Sequence, residues 1–305
     1  MNKKKSFTLI ELLVVIVIIG ILAGVIMIST SSSIDKANLA KGQAFYSTIQ
    51  EELLSSLISE WTFDEGNTTV GQIAQSSDLV DSWGNNNGIV NGNPIIRDGT
   101  NCISRKCLEF DGSGDYVDFG DILRPSRTDD RTYLFWLNLK SYGGAIFSTG
   151  NLANYKGGYS LFRPLSSSSN YFSYELNDSP FNFSFDCSID LNKWMFFVVS
   201  VKPDNPNINF ALYKNGKLED DQTKIMSAGS QYNTSFKIGA YTSGYPTASQ
   251  VGFLNGFIDD FKVYDSILNL VQVKQNYIAG LDSLLSQKSI SKVDYNQRIN
   301  ELAYE

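Results

Sequence analysis

The stretch from Lys3 to Ile28 reads KKKSFTLIELLVVIVIIGILAGVIMI and determines how the rest of the chain is organised. Three lysines precede an apolar run of 22 residues, Phe7 to Ile28. As an α-helix at about 1.5 Å per residue, the run would extend roughly 33 Å, which is enough to cross a bilayer. The lysines predict that this end stays cytoplasmic. Glu11 lies inside the run, where a carboxylate is costly unless an opposite charge pairs with it.

The segment FTLIELLVVIVIIGILA, from Phe7 to Ala23, resembles the class III signal of type IV prepilins. The resemblance implies that a prepilin peptidase cuts between Ser6 and Phe7 and N-methylates the new Phe7 amine. It also implies that Glu11 pairs with the N-terminal amine of a neighbouring subunit. Ser6 departs from the glycine usual before the cut, and we expect slower cleavage there. The alternative is an unprocessed signal anchor that holds a surface domain on the membrane.

A polar stretch follows Ile28, after which apolar residues recur at helical spacing. Together with the strand and tail patterns described below, this spacing predicts an α+β fold. A long N-terminal pilin helix is followed by an antiparallel β-sandwich and a short helical C-terminal tail. The predicted parts are a cleaved leader at 1–6, a helix at 7–59 with a membrane or filament core at 7–28 and an amphipathic half at 34–59, a sandwich at 60–269 and a helical tail at 270–305.

From Trp61 onward, short aromatic and β-branched runs alternate with turn residues, which indicates β-strands. Asn215-Gly216, between two such runs, predicts a type I′ hairpin. The tail regains helical spacing at Leu270, breaks near residues 286–291 and resumes through Tyr295. Its packing partner is left open by the sequence, which allows either the N-terminal helix or the next subunit.

Seven segments taken in order resemble a bacterial laminin G-like domain of the concanavalin A-like lectin and glucanase superfamily. They are WTFDEG (61–66), DSWGNNNG (81–88), CLEFDGSGDYVDFG (107–120), TYLFWLNL (132–139), WMFFVVSV (194–201), LYKNGK (212–217) and FLNGFIDDFKVYDSIL (253–268). The resemblance implies a jelly roll with a structural Ca²⁺ where the first and last strands meet, and Asp64, Asp259 and Asp260 are its candidate ligands. The alternative is that Asp259 and Asp260 cap or neutralise a strand edge beside Lys262.

The candidate ligand-binding residues are tyrosines in predicted loops. Three predicted loops would expose tyrosines on one rim, and these are Tyr155, Tyr171, Tyr241 and Tyr245. The Asn- and Asp-rich segments around Trp83 and Tyr116 suit sugar hydroxyls, but turn formation explains them better. Glycans or other surface polymers are the candidate ligands.

Composition excludes several functions. The chain has no histidine, so His-based catalysis and His-ligated zinc are excluded. A formal charge of −7 disfavours a nucleic-acid partner. No pair of carboxylates has the spacing that a retaining glycosidase needs, and we expect no enzymatic activity. Cys102 and Cys107 are spaced for a short disulfide, which an oxidising exterior would permit.

These observations favour a structural subunit of a type IV pilus or pilus-like filament. Such a subunit is inserted in the inner (cytoplasmic) membrane as a precursor, polymerises with other pilin subunits outside the cell, and displays a lectin-like domain for adhesion. The alternative is a minor pilin or pseudopilin of a type II secretion or DNA-uptake machine, which would share the processing step and the docking through Glu11. A soluble lectin is a third reading, in which residues 1–28 would be dispensable.

Overall fold

The computed structural model describes residues 51, 53–123, 128–149, 159–164, 170–175, 181–185, 188–225, 235–243 and 249–303, and gives only the backbone for 159–164, 170–175 and 181–185. Residues Ser56–Glu305 form one compact unit. Of the helix predicted at 7–59, residues 51 and 53–56 are helical, residues 57–59 belong to a strand instead, and the rest lies outside the described residues. Within the described residues, no helix is both long and apolar enough to span a membrane.

The regular elements follow one another in the order strands, then helices. They are β1 (Leu57–Trp61), β2 (Ile89–Asn91), β3 (Ile95–Asp98), β4 (Lys106–Asp111), β5 (Tyr116–Asp118), β6 (Arg131–Leu139), β7 (Phe147–Thr149), β8 (Tyr159–Pro164), β9 (Asn170–Glu175), β10 (Phe181–Phe185), β11 (Trp194–Asp204), β12 (Asn207–Lys214), β13 (Lys217–Ile225), β14 (Phe236–Ile238), β15 (Tyr241–Ser243), β16 (Ser249–Val251), β17 (Asn255–Tyr264), α1 (Leu270–Ser286) and α2 (Lys292–Ala303), with 3₁₀ turns at Ser76–Asp78 and Gly99–Asn101.

The strands form two antiparallel sheets, which confirms the predicted β-sandwich with a short C-terminal helical region. In the described residues the larger sheet has the order β13-β12-β11-β6-β17-β4-β3, and β1 also pairs with β17. The smaller sheet has the order β10-β9-β8-β7-β14-β5-β2, and β15 pairs with β16 separately. β17 therefore lies in the middle of the larger sheet.

Strand β1 begins at Leu57, before residue 60, where the sequence pattern placed the start of the sandwich. Leu57, Ser59 and Trp61 are buried and alternate with half-buried residues. Apolar residues at 57, 58 and 61 satisfy a helical spacing and a strand alternation equally well. Pairing with β17 selects the strand.

Aromatic rings fill the space between the two sheets. Trp61 is wholly buried, and its ring centroid lies 4.3 Å from that of Phe119 and 5.9 Å from that of Phe236. Phe261 in β17 lies 5.3 Å from Phe135 in β6. Ring pairs at such distances add about 0.5–1.5 kcal/mol each to the stabilisation from burial. The inner core is therefore largely aromatic.

Most of β6 and β11 is buried on both faces, because helix α1 covers the part of the outer face of the larger sheet around Trp136 and Phe196. The ring of Tyr277 lies 5.6 Å from that of Trp136 and 5.8 Å from that of Phe196. A Cβ built on Gly280 would lie 2.3 Å from Cζ2 of Trp136. The helical tail, whose position the sequence left open, thus packs on the sandwich itself.

Both tail helices begin with a capping box, which satisfies free N–H groups of the first turn. The Gln272 amide N–H donates to Asn269 Oδ1 at 3.0 Å, and the Asn269 amide N–H donates to Gln272 Oε1 at 2.9 Å. At the second helix the Asp294 amide donates to Ser291 Oγ at 3.1 Å, and the Ser291 amide donates to Asp294 Oδ2 at 3.3 Å. The tail therefore breaks within residues 286–291, as the sequence predicts.

Candidate functional site

The residues predicted for processing and assembly, Ser6, Phe7 and Glu11, lie outside the described residues. Tyr155 and Tyr245 also lie outside them. Their predicted roles therefore stay predictions.

The other two predicted tyrosines lie in different sheets. Tyr171 belongs to β9, and Tyr241 begins β15. Tyr241 is half-buried, and its ring lies against Gly252, where a Cβ would approach Tyr241 Cε1 to 2.2 Å. Because the Tyr241 ring packs against the backbone of Gly252, Tyr241 has a structural role at this position.

The two cysteines predicted to pair form a disulfide with a Cα–Cα distance of 5.3 Å. Both are wholly buried. Residues 102–107, here called the disulfide loop, lie where β17 changes partner. Residues Asn255–Ile258 of β17 pair with β4, whereas Phe261–Tyr264 pair with β1.

Asp259 lies at this change of partner, is wholly buried, and accepts four hydrogen bonds. Its Oδ2 accepts from the amides of Ile103 at 2.7 Å and Ser104 at 3.0 Å. Its Oδ1 accepts from the Asp260 amide at 2.8 Å and from Ser104 Oγ at 3.3 Å. Burial and the neighbouring Asp260 carboxylate raise the pKa of Asp259, while the backbone donors act in the opposite direction. Asp259 therefore anchors the disulfide loop.

Asp64 holds the same loop from the other side. Its Oδ1 accepts from the Lys106 amide at 2.8 Å, and its Oδ2 accepts from Arg105 Nε at 3.2 Å. Ca²⁺ needs six to eight oxygen ligands, and these hydrogen bonds occupy the oxygens that Asp64 and Asp259 would offer. Cys102 and Cys107 also lie close to Asp259, but their disulfide leaves no thiolate ligand. Asp64 and Asp259 are thus engaged by the disulfide loop, and calcium binding, with Asp260 as the third predicted ligand, stays an untested expectation.

The disulfide loop also connects the sheet to helix α1. Ser283 Oγ and Gln287 Nε2 each donate to the Ile103 carbonyl at 2.6 Å. Trp194 Nε1 donates to the Asn101 carbonyl, just before the loop, at 3.1 Å. The disulfide loop therefore joins strand β17, the segment after β1 and helix α1.

Asp260 follows in a β-bulge of β17 and has a left-handed backbone, with φ +47°. Its surroundings raise its pKa from 3.8 to about 6. Burial is the main cause; Lys262 lowers the pKa, and the Glu60, Asp64 and Glu65 carboxylates raise it further. Lys262 Nζ lies 2.7 Å from Glu60 Oε1, so part of its charge is already paired.

We expect Asp260→Asn to stabilise the protein at neutral pH. Asparagine tolerates the left-handed backbone. Between pH 4 and 6 the folded state binds more protons at Asp260 than the unfolded state does. Protonated Asp260 therefore favours the folded state, and this contribution to stability is fully present below the ordinary pKa of 3.8. It is lost as pH rises through about 6, an effect of at most about 3 kcal/mol.

Melting temperatures of wild type and Asp260→Asn, measured from pH 4 to 7.5, check this expectation. The variant's advantage should be smallest at pH 4 and grow toward pH 7. Asp98→Asn, at an exposed position, is the control and should show a constant difference. A constant difference for Asp260→Asn as well would contradict the expectation.

Another group of side chains crosses the outer face of the larger sheet beside α1. Neighbouring-strand register places Ile95, Glu109, Phe257, Asn138 and Trp194 opposite one another on β3, β4, β17, β6 and β11. We call these five residues the outer row. Four gaps between strands, at about 4.8 Å each, give the row a length of roughly 19 Å.

The polar end of the outer row is an ion triad centred on Glu109. The Glu109 carboxylate accepts hydrogen bonds from both Arg97 Nε and Lys140 Nζ. Burial by itself would raise the pKa of Glu109, but the hydrogen bonds and charges of Lys140 and Arg97 outweigh it and lower the pKa. Glu109 is therefore held as a carboxylate between two fixed cations.

The aromatic end of the row continues from the triad. Lys140 Nζ lies 4.7 Å from the ring centroid of Phe257, and that ring lies 6.2 Å from the ring of Trp194. Asn138 occupies the row position between them, and its buried Oδ1 accepts no hydrogen bond from any residue that the structure describes. Charged, aromatic and amide groups are thus arranged in one line.

A cleft lies at each end of the outer row. The first has a volume of about 200 Å³ and is lined by the triad with Asn93, Ile95, Asp111, Asp115 and Asn255. The second has a volume of about 270 Å³ and lies between Trp194, the β12–β13 turn and helix α2.

Neither cleft has a strong excess of one charge. In the first, Arg97 and Lys140 face Glu109, Asp111 and Asp115. The second combines three cations with three carboxylates, which are Lys193, Lys214, Arg298, Asp190, Asp294 and Glu301. Both clefts therefore offer mixed donors and acceptors.

The loop around Trp83 has the hydrogen bonds of a turn, which the sequence favoured over a ligand site. Asp81 Oδ1 accepts from the amides of Glu60 at 2.9 Å, Trp83 at 3.1 Å and Gly84 at 2.9 Å. Its Oδ2 accepts from the Asn86 amide at 3.1 Å. Trp83 itself remains 47% exposed.

Sequence reasoning missed the outer row. Its members come from five strands, and only the cross-strand register brings them together. A signal was present in the charged residues Arg97, Glu109 and Lys140, each of which lies in or next to an apolar strand pattern.

Comparisons with known proteins cover most of the chain. A family model described as concanavalin A-like lectin/glucanases superfamily matches residues 111–274, and one described as prokaryotic N-terminal methylation motif matches residues 1–27. No curated protein matches the chain in sequence.

Two solved structures illustrate the similarity in fold. Domain 4 of AbnA, a GH43 extracellular arabinanase from Geobacillus stearothermophilus solved with arabinotriose, is 18% identical with a TM-score of 0.53, over 72% of this chain and 97% of that one. The binding domain of Paraclostridial Mosquitocidal Protein 1 is 17% identical with a TM-score of 0.52, over 75% of this chain and only 53% of that one. At these identities the similarity shows the fold alone.

Proposed function

Because the chain belongs to the concanavalin A-like lectin/glucanases superfamily and carries a prokaryotic N-terminal methylation motif, we propose that it polymerises into a type IV pilus-like filament and displays its lectin-like domain for adhesion. The two family matches confirm the prepilin signal and the jelly-roll domain that the sequence resembles. The protein is thus pilin-like, with a lectin-like domain.

The observation that supports polymerisation best is the placement of Glu11 in the methylation motif at 1–27. A carboxylate in an apolar filament core needs an opposite charge, and the amine of a processed Phe7 on a neighbouring subunit supplies one. Each docked subunit then has a fixed register. Prepilin peptidase and the inner membrane are the partners of the precursor, and other pilin subunits are the partners in the filament.

The separation of parts supports display. The motif at 1–27 and the compact unit Ser56–Glu305 occupy different regions of the chain. An N-terminal helix that polymerises can therefore carry the sandwich, and the strands of the sandwich are not needed for assembly. A lectin-like fold exposed along a filament suits adhesion to surface glycans.

Glu11→Val tests the assembly step. Breaking a buried charge pair costs about 3–5 kcal/mol, so we expect the yield of sheared filaments to fall at least tenfold while processed protein accumulates in the membrane. Asp35→Val is the matched control, because Asp35 follows the apolar run that ends at Ile28, and this variant should assemble normally. Wild-type filament yield from Glu11→Val would contradict the proposal, and only traces of wild-type protein in filaments would indicate a minor component.

A further inference from the structure

We propose that the outer row and its two clefts bind a neutral, hydroxyl-rich polysaccharide segment. This inference rests on the proposed function, since it assigns a ligand class and a place to the displayed domain. It concerns the face of the larger sheet that α1 leaves uncovered, between β3 and β11.

The length of the row suits an extended ligand. Its members span roughly 19 Å across five strands, and the row ends in a cleft at each side, one lined by Ile95 and Glu109 and the other by Trp194. The first cleft, at about 200 Å³, has the volume of about six or seven waters at roughly 30 Å³ each. A cleft of that size takes one sugar ring, so a chain of several sugars is needed to occupy the whole row.

The middle of the row provides apolar contact. Phe257 and Trp194 are half-buried and lie 6.2 Å apart. Trp194 is fixed by the hydrogen bond from its indole N–H to the Asn101 carbonyl at 3.1 Å, so little rotamer freedom remains to be lost on binding. Rigid aromatic faces of this kind contact the C–H face of a sugar ring, as ligand sites with a few fixed polar groups commonly do.

The polar groups are fixed as well. Glu109 is held by both Arg97 and Lys140, and the Arg97 bond uses one of the five guanidinium N–H donors. Asn255 Nδ2 donates to Ser141 Oγ at 3.1 Å at the rim of the first cleft. Sugar hydroxyls both donate and accept, so they can bind carboxylate, amide and cationic groups together. Asn138 Oδ1 adds a buried acceptor that no described residue satisfies, which calls for a water or a ligand group.

Charge selects the neutral class. The second cleft has equal numbers of cations and carboxylates, and the first has one carboxylate more than it has cations. The whole chain has a formal charge of −7. A polyuronate or another polyanion would therefore meet no positive surface, and a polycation would compete with Arg97 and Lys140 for Glu109.

The test measures binding of fluorescent oligosaccharides to the full-length protein in detergent micelles. Neutral probes are cellohexaose, xylohexaose, mannohexaose and α-1,5-linked arabinohexaose, and the anionic probe is an oligogalacturonate. We expect at least one neutral probe to bind and the oligogalacturonate to bind less well. Trp194→Ala and Glu109→Gln should each weaken binding about tenfold.

Trp83→Ala is the matched control, because Trp83 is an exposed tryptophan in the loop that Asp81 bonds to β1 and is not a member of the outer row, and it should bind as wild type does. Lys140→Gln serves as a third row variant, since Lys140 is partly exposed and its replacement leaves the core intact. The proposal is overturned if no neutral probe binds wild type, if the row variants bind normally, or if oligogalacturonate binds most tightly.

Failure of the two proposals can be told apart. The Glu11→Val protein in micelles should retain saccharide binding, whereas Trp194→Ala should still form filaments at wild-type yield. Loss of filaments without loss of binding contradicts only the polymerisation step. Normal filaments without saccharide binding contradict only the outer-row site.

Discussion

Replacement of Asp259 by alanine is expected to lower the free energy of unfolding by about 3 kcal/mol. The variant leaves the buried amide of Ile103 and the half-buried amide of Ser104 without their acceptor, and an unsatisfied buried donor costs about 1–3 kcal/mol. The Asp260 amide loses its bond too. Removal of a desolvated carboxylate, whose pKa burial raises, offsets part of this cost.

Tryptophan fluorescence during chemical unfolding measures the effect in the full-length protein, because all four tryptophans lie between residues 61 and 194. Asp98→Ala is the matched control, since Asp98 is exposed and lies just before the disulfide loop, and it should change stability by less than about 0.5 kcal/mol. Equal stability of Asp259→Ala and wild type would show that the loop does not depend on this carboxylate.

Gly280→Leu is expected to destabilise the protein by about 3 kcal/mol and to detach helix α1. Leucine favours helix over glycine by close to 1 kcal/mol, so propensity alone predicts a gain. The side chain would, however, start within 2.3 Å of the Trp136 ring, and overpacking of this kind costs about 1–3 kcal/mol or more. Sterics therefore determine the sign.

Ala279→Leu controls for the added volume, because Ala279 is exposed on the neighbouring helix position and its replacement should be nearly neutral. Detachment of α1 should also change the fluorescence of Trp136, which lies under Tyr277. Equal stability of Gly280→Leu and Ala279→Leu would contradict the close contact of Gly280 in α1 with Trp136 in the sheet.

Local sequence signals predicted local structure well. Asn215-Gly216 forms the β12–β13 turn with φ +51° and +81°, as a type I′ hairpin requires. The tail helices break where helical spacing stops, near Lys288 with φ +62°. In these places neighbouring residues determine the conformation, so one sequence is enough.

Long-range contacts could not be predicted in the same way. Asp259 was assigned to a metal or a strand edge, yet its carboxylate binds Ile103 and Ser104, more than 150 residues earlier in the chain. An aspartate that accepts hydrogen bonds from loop amides and an aspartate that binds calcium look the same in a sequence. Only the fold shows which partner is near.

The helical tail gives a third case. Its periodicity predicted the helices, and the apolar strands FWLNL and WMFFVVSV, without polar alternation, were consistent with burial on both faces. Which helix covers them depends on the close approach that Gly280 permits against Trp136. The absence of a side chain at one position is a weak signal in a sequence.

The position of β1 determines how mechanical force would pass through a displayed domain. Pulling on the chain before Leu57 loads β1, which is bonded to β17 in the middle of the larger sheet. β17 also carries Phe257 of the outer row. Tension between a filament and a polymer bound along that row would therefore enter the larger sheet through the single β1–β17 ladder and pass from β17 to the neighbouring strands that carry the row.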